Sequence, residues 1–166
     1  MPVTITPLAP AARFSLRLRL EDAPAVAAAF GTALPDRIGR MSSAGGRRAL
    51  CLGPDEWLLL AEEADGPALA AAVAGLDIPH ALATLSDREL AWALEGSGVL
   101  DLLATGCPLD LARMPVGTGT RTLFDTVQVV LIRETETRFR LEAWRSFAPH
   151  LEALFALARR ELALGI

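Results

Sequence analysis

The sequence predicts an α+β fold with antiparallel sheets and helices on one face, and three observations lead there. The order Phe-Ser-Leu-Arg-Leu-Arg-Leu at 14–20 alternates apolar and polar residues, the period of a half-buried strand. Strand-like and helix-like runs then follow in the order β-α-β-β-α-β, which lets both helices cover one face of a sheet, as in a ferredoxin-like sandwich, with the other face left to water or a partner. A looser, related β-α-β half follows. No Pro-rich or charged linker interrupts the 166 residues, so a single domain with two halves, at about 1–95 and 96–166, is expected.

The first strand, 14–20, should point Phe14, Leu16, Leu18 and Leu20 inward. Asp22 offers an N-cap oxygen and Pro24 suits a first turn, so the alanine-rich run to Phe30 reads as a helix ended by Gly31. A loop rich in Gly, Ser and Arg is expected over 38–48. The apolar runs 49–52 and 57–61 flank Gly53-Pro54-Asp55-Glu56, the pattern of a hairpin. Gly66-Pro67 opens a second helix that stops at Gly75, after which 78–85 and 89–94 read as extended. In the second half Ser97 should cap a helix through Leu103, with Gly106 at its end and strands at 118–124, 126–133 and 137–145. The closing helix from Ser146 carries Phe147, Leu151, Leu154, Phe155, Ala158 and Leu162 as one apolar stripe.

Sixteen basic residues against twenty acidic ones give a net charge of −4, so there is no overall positive field to gather phosphate backbones or anionic headgroups. Neither nucleic acid nor a membrane is an expected partner. Every basic residue is arginine and the chain lacks lysine and tyrosine, which removes Schiff-base lysine and tyrosine acid catalysis. The first basic residue is Arg13 and no apolar run follows a charged start, so no secretory leader is expected. Cys51 and Cys107 should therefore be reduced thiols in a cytoplasmic protein. The stretch 66–85 holds a single charged residue, yet Asp77, Pro79 and His80 favour a helix and a strand over a membrane span.

The search for reactive groups singles out no catalytic, cofactor-binding or metal-ligating residue. His80 and His150 make no metal-ligand spacing with the two cysteines; His80 reads as partly buried and His150 as solvent-facing. There is no G-x-S-x-G, and Gly117-Thr118-Gly119-Thr120 precedes a strand, not the helix a phosphate cradle needs. Ser-Ala-Gly-Gly-Arg-Arg at 43–48 is read as a solvated, mobile loop in preference to an anion site. Cys107 follows a helix C-terminus, where the dipole disfavours a thiolate, and Cys51 belongs to a core strand. Asp55-Glu56 and Glu62-Glu63 point to different faces, the wrong geometry for an acid and base flanking one bond. Trp57, Trp92 and Trp144 fall in strands and read as core or interface residues. Arg133, Arg138, Arg140 and Arg145 among Glu134, Glu136 and Glu142 describe either a solvated strand face or a protein interface.

Four segments in order resemble the gamma subunit of heterotetrameric sarcosine oxidase, a relative of the aminomethyltransferase folate-binding fold. They are Leu-Gly-Pro-Asp-Glu-Trp-Leu-Leu-Leu (52–60), Leu-Ser-Asp-Arg (85–88), Leu-Leu-Ala-Thr-Gly-Cys-Pro-Leu-Asp-Leu (102–111) and Glu-Ala-Trp-Arg-Ser-Phe-Ala (142–148). The resemblance implies a noncatalytic chain in a complex that demethylates sarcosine to glycine, with FAD, FMN, NAD and tetrahydrofolate held by other subunits and none by this chain. It also implies larger flavoprotein subunits as partners. Met114-Pro115-Val116-Gly117 departs from the Phe-Pro-x-Gly usual in that family, and Asp87 stands where His is common. Glu56 aligns loosely with a functional segment of true aminomethyltransferases, but that role is not transferred to it.

Two other readings compete with a docking subunit. One is a free-standing folate or one-carbon binder using the tryptophans with Arg47 or Arg48; the other is a regulatory ferredoxin-like homodimer. The docking reading expects unpartnered apolar side chains at Leu157, Leu164 and Ile166, and self-association of the isolated chain.

Overall fold

The structure, a computed structural model, describes residues 2–165. In chain order its strands are β1 (Thr4–Pro7), β2 (Ala11–Leu18), β3 (Met41–Ala44), β4 (Arg47–Gly53), β5 (Glu56–Glu62), β6 (His80–Thr84), β7 (Glu89–Glu95), β8 (Thr118–Phe124), β9 (Val127–Thr135) and β10 (Arg138–Trp144). The helices are α1 (Ala23–Phe30), α2 (Gly66–Ala74), α3 (Val99–Ala104) and α4 (Ala148–Leu164). The fold is α+β with two five-stranded antiparallel sheets. Contacts divide the chain into a contiguous unit, Pro10–Asp87, and a composite unit made of Met1–Ala9 and Arg88–Ile166.

The contiguous unit orders its strands β3-β4-β5-β2-β6, of which β4-β5-β2-β6 is the ferredoxin-like arrangement. Alternation in β2 puts Phe14 and Leu16 on the helix-covered face, where they meet Val26 and Phe30 of α1, Leu69 and Val73 of α2, and Trp57 and Leu59 of β5. Helix α1 stops at Gly31, whose left-handed φ of 87° suits a residue without a Cβ. A Cβ there would stand 2.5 Å from Arg47 Nη1, and that guanidinium donates to Phe30 O at 2.8 Å, satisfying a carbonyl at the helix end.

The composite unit repeats this plan in the order β1-β7-β10-β9-β8. Position by position β7, β8, β9 and β10 take the places of β2, β3, β4 and β5, while α3 and α4 take those of α1 and α2. The last strand differs in origin: β1, from the chain's beginning, pairs with β7 in the register Thr4↔Glu95 to Pro7↔Trp92 and fills the place of β6. Val3 enters the core beside Trp92, Leu94, Phe139, Leu141, Leu151 and Phe155. Gly96 lets the chain turn after β7, since a Cβ there would stand 2.2 Å from Pro2 O.

Several expectations are corrected. The boundary between the two units falls at Asp87/Arg88 and not near 95, because β7 pairs with β1 and β10. The N-terminal segment, given no element from sequence, is a strand of four residues ending in proline, too short to show a period. The segment 38–48 is not a mobile loop: it contains β3 and a two-residue turn, Gly45-Gly46, with φ of 55° and 79°, the geometry that right-twisted hairpins favour. Leu20 is 47% exposed, because β2 ends at Leu18 and a 3-10 turn begins. The Asp22 carboxylate accepts from Arg19 Nε at 3.3 Å, and neither it nor Ser97 caps a helix; Gly98 precedes α3. The outer sheet faces are not left to water at their centres either. Leu50, Leu58 and Leu60 are buried, as are Ala91, Ala93 and Ile132. Strands covered on both faces read as continuous apolar runs, which is why 57–61 carries no alternation.

Candidate functional site

The structure disperses the reactive side chains. His80 Nδ1 lies 2.8 Å from Ile78 O, while His150 Nε2 lies on α4, 3.5 Å from Asp125 Oδ2. Cys51 Sγ faces Gly53 O at 3.2 Å, and burial, with Asp36 adding, pushes its thiol pKa up against the effect of that contact. Cys107 is buried with its sulfur 3.8 Å from Thr122 Oγ1. Asp125, at φ 54° in the β8–β9 turn, is held below the usual carboxylate range by the Thr126 amide, then by the Thr126 hydroxyl and by His150. Among the described residues no three His, Cys, Asp or Glu side chains gather closely enough to hold a metal ion. No helix among them is long and apolar enough to cross a membrane.

The tryptophans and arginines proposed for a pterin-glutamate ligand are not brought together as a ligand site. Trp57 and Trp92 are core residues whose indole N–H groups donate to Pro35 O at 2.8 Å and to Glu152 Oε1 at 3.4 Å. Arg47 serves the end of α1 and pairs with Asp65 at 3.6 Å. Glu56 is buried and pairs with Arg17 at 3.0 Å, a structural use of that carboxylate. A groove of about 340 Å³ lies between Pro2, Val3 and Thr4 and the Arg159–Ala163 turn of α4, with Arg159 as its charged group and no acid–base pair.

Arg133 is the position that the sequence reading described least well. It was placed on a solvated face or an interface, but it is 5% exposed, as is Glu142 at 1%. The signal was present: Val127, Val129, Leu131 and Arg133 share one face of β9, so alternation puts the guanidinium on the core side. There it lies over the Phe139 ring at 5.4 Å. It donates to Leu111 O at 3.0 Å and Met114 O at 2.6 Å, to Glu136 O at 3.1 Å and to the Glu136 carboxylate at 2.8 Å. One buried cation thus fixes the irregular segment after α3, including the start of Met114-Pro115-Val116-Gly117. Around it Arg138 bridges Glu134 and Glu95, and Arg140 pairs with Glu142 at 2.6 Å.

What the surface offers is apolar. Leu109, Val116, Leu123, Trp144, Phe147, Leu157 and Leu164 are exposed in the composite unit, while Ile166 lies outside the described residues. Two of the segments singled out from sequence meet here: Arg145 N–H donates to Arg88 O at 2.7 Å, and the Arg88 guanidinium lies 4.7 Å from the centre of the Trp144 ring. This chemistry suits binding to another molecule better than turnover of a substrate.

Comparison with known proteins agrees with that character. Residues 20–159 match the sarcosine oxidase, gamma subunit family. The chain belongs to the sarcosine oxidase gamma subunit family. It is 34% identical over 131 residues to the sarcosine oxidase subunit gamma of Corynebacterium sp. (strain U-96), covering 76% of this chain and 63% of that relative, under two thirds of its length. A chain of the heterotetrameric sarcosine oxidase from Corynebacterium sp. U-96, solved with pyrrole 2-carboxylate, superposes with a TM-score of 0.87 and 31% identity, over 96% of this chain and 84% of that one. The glycine cleavage system aminomethyltransferase T of Bartonella henselae superposes with a TM-score of 0.64 at 14% identity over 96% of this chain and 49% of that one, a likeness of fold alone. Membership of the gamma subunit family and the aminomethyltransferase-like fold are what the four sequence segments implied.

Proposed function

We propose that this chain is a noncatalytic subunit of a cytoplasmic sarcosine oxidase complex, in which sarcosine is demethylated to glycine. The observation that carries the reading is the superposition on a chain of a heterotetrameric sarcosine oxidase across 96% of this chain's length. Under this reading the larger flavoprotein subunits hold the flavins, the nicotinamide dinucleotide and the folate, and this chain contributes assembly and stability. The scatter of its histidines, cysteines and carboxylates favours that division of labour over a free-standing folate binder. Co-expression with the larger subunits of the oxidase tests it. A stoichiometric complex that oxidises sarcosine, and that loses stability when this chain is omitted, is the expected outcome. Active, equally stable complexes lacking this chain, or saturable tetrahydrofolate binding by the chain alone read by tryptophan fluorescence, would defeat it.

A further inference from the structure

The fold contains its own control for what the surface requires. Three times a strand or turn leads through one 3-10 turn into a helix whose second residue is proline: Leu20–Asp22 before Ala23-Pro24, Glu63–Asp65 before Gly66-Pro67, and Arg145–Phe147 before Ala148-Pro149. The first two turns carry acidic side chains, which suit the positive end of a helix. The third sits at the structural position of the second, yet where that one has Glu62-Glu63-Ala64-Asp65 it has Trp144-Arg145-Ser146-Phe147, all four exposed. A cation at a helix N-terminus and two aromatic rings in water both work against local stability, and the other two turns show that the backbone needs neither. The rings lie 6.2 Å apart at 31°, and Arg88 covers Trp144 from the neighbouring strand.

We propose that Arg88, Trp144, Arg145 and Phe147 form the anchor by which this chain seats in a carboxylate-rimmed apolar pocket of a larger subunit of the oxidase. The inference rests on the subunit reading above. Trp, Arg and their aromatic neighbours are the side chains that dominate protein interfaces, and two rings on a protruding turn have the shape of an inserted knob, not of a cleft that encloses a small ligand. Charge selects the occupant. On a chain of net charge −4 this corner brings two arginines to one spot, which acidic groups complement. A twofold pairing of two copies through the same corner would set four arginines against one another.

The test uses the full chain with the larger subunits. Replacing both rings (Trp144→Ala with Phe147→Ala) is expected to weaken assembly by about 30-fold or more. The melting midpoint of the isolated chain should hold, because both rings are exposed. Arg88→Glu, which keeps both rings and reverses the charge, should weaken assembly about tenfold or more, with a salt dependence the wild type does not share. Undiminished affinity in both variants overturns the anchor and leaves the subunit reading standing. Failure of the wild-type chain to join the larger subunits overturns that reading and the anchor with it. A homodimer dispersed by the double substitution while the mixed complex persists assigns the corner to a second copy and overturns the proposal.

Discussion

The contiguous and composite units share one plan and differ in how it is closed. In the contiguous unit, α2 is followed directly by β6, so a single stretch of 78 residues, Pro10–Asp87, supplies every strand. In the composite unit the helix in that position, α4, is the last element described, and the strand that should follow it is taken from the other end of the chain. The difference teaches that a sheet position is defined by its hydrogen-bonding edge and its core contact, not by sequence order. β1 qualifies with four residues because β7 offers a free edge and because Val3 finds a place in the core. The two units also meet the same local need by different means. An arginine ties an irregular segment in each, but Arg47 serves one helix end from a partly exposed site, whereas Arg133 serves a whole loop from the core.

That comparison can be broken at several points, the largest effect first. Removing residues 1–9 should strip the composite unit of its closing strand at a cost of more than about 3 kcal/mol, from the lost burial of Val3 and the partly buried Ile5 alone. Native-state hydrogen exchange should then show protection falling in β7 and β10 while β2, β4 and β5 keep theirs; equal protection in all five strands would refute the assignment of β1 as the missing strand. Next, Arg133→Ala leaves the carbonyls of Leu111 and Met114 without their buried donor and should destabilise by about 3 kcal/mol, against about 1 kcal/mol for Arg47→Ala in the contiguous unit. Denaturant titrations giving equal losses would erase the distinction between the two arginines.

The smallest effect concerns the matching hairpin turns, Gly45-Gly46 between β3 and β4 and Asp125-Thr126 between β8 and β9. Because the Asp125 pKa is lowered by folding, its contribution is present above the unfolded-state value of 3.8 and is lost as pH falls through the folded-state value. Asp125→Asn should therefore leave melting curves at neutral pH almost unchanged and flatten the acid limb below about pH 4. An acid limb identical to that of the wild type would show that the turn aspartate carries no such linkage.

Most of the elements could be read from local pattern. β2 followed from its alternation, α1 from Pro24 and Gly31, the β4–β5 hairpin from Gly53-Pro54-Asp55, and α4 from its apolar stripe. The misreadings share a cause, since each concerned a residue whose role is set by something distant in sequence. Gly45-Gly46 looked like a loose loop because the strand that β4 offers to β3 cannot be seen locally. Arg133 looked like a surface residue because its partners at Leu111 and Met114 lie some twenty residues away. The apolar residues counted as an unpartnered excess proved to be partly consumed by sheet centres buried on both faces, Leu58 and Ile132 among them. The exposed anchor was visible only as two separate motifs until Arg88 and Trp144 were found stacked.

Periodicity, turn chemistry and composition were enough to settle the class of fold, the placement of nearly every helix and strand, and the likeness to a known family, because those depend on neighbours within a few residues. Which strand closes which sheet, which charge is buried, and which aromatic ring is left in water were decided by the tertiary structure. Those outcomes depend on competition for edges and core volume among segments far apart in the chain, and no local pattern records that competition.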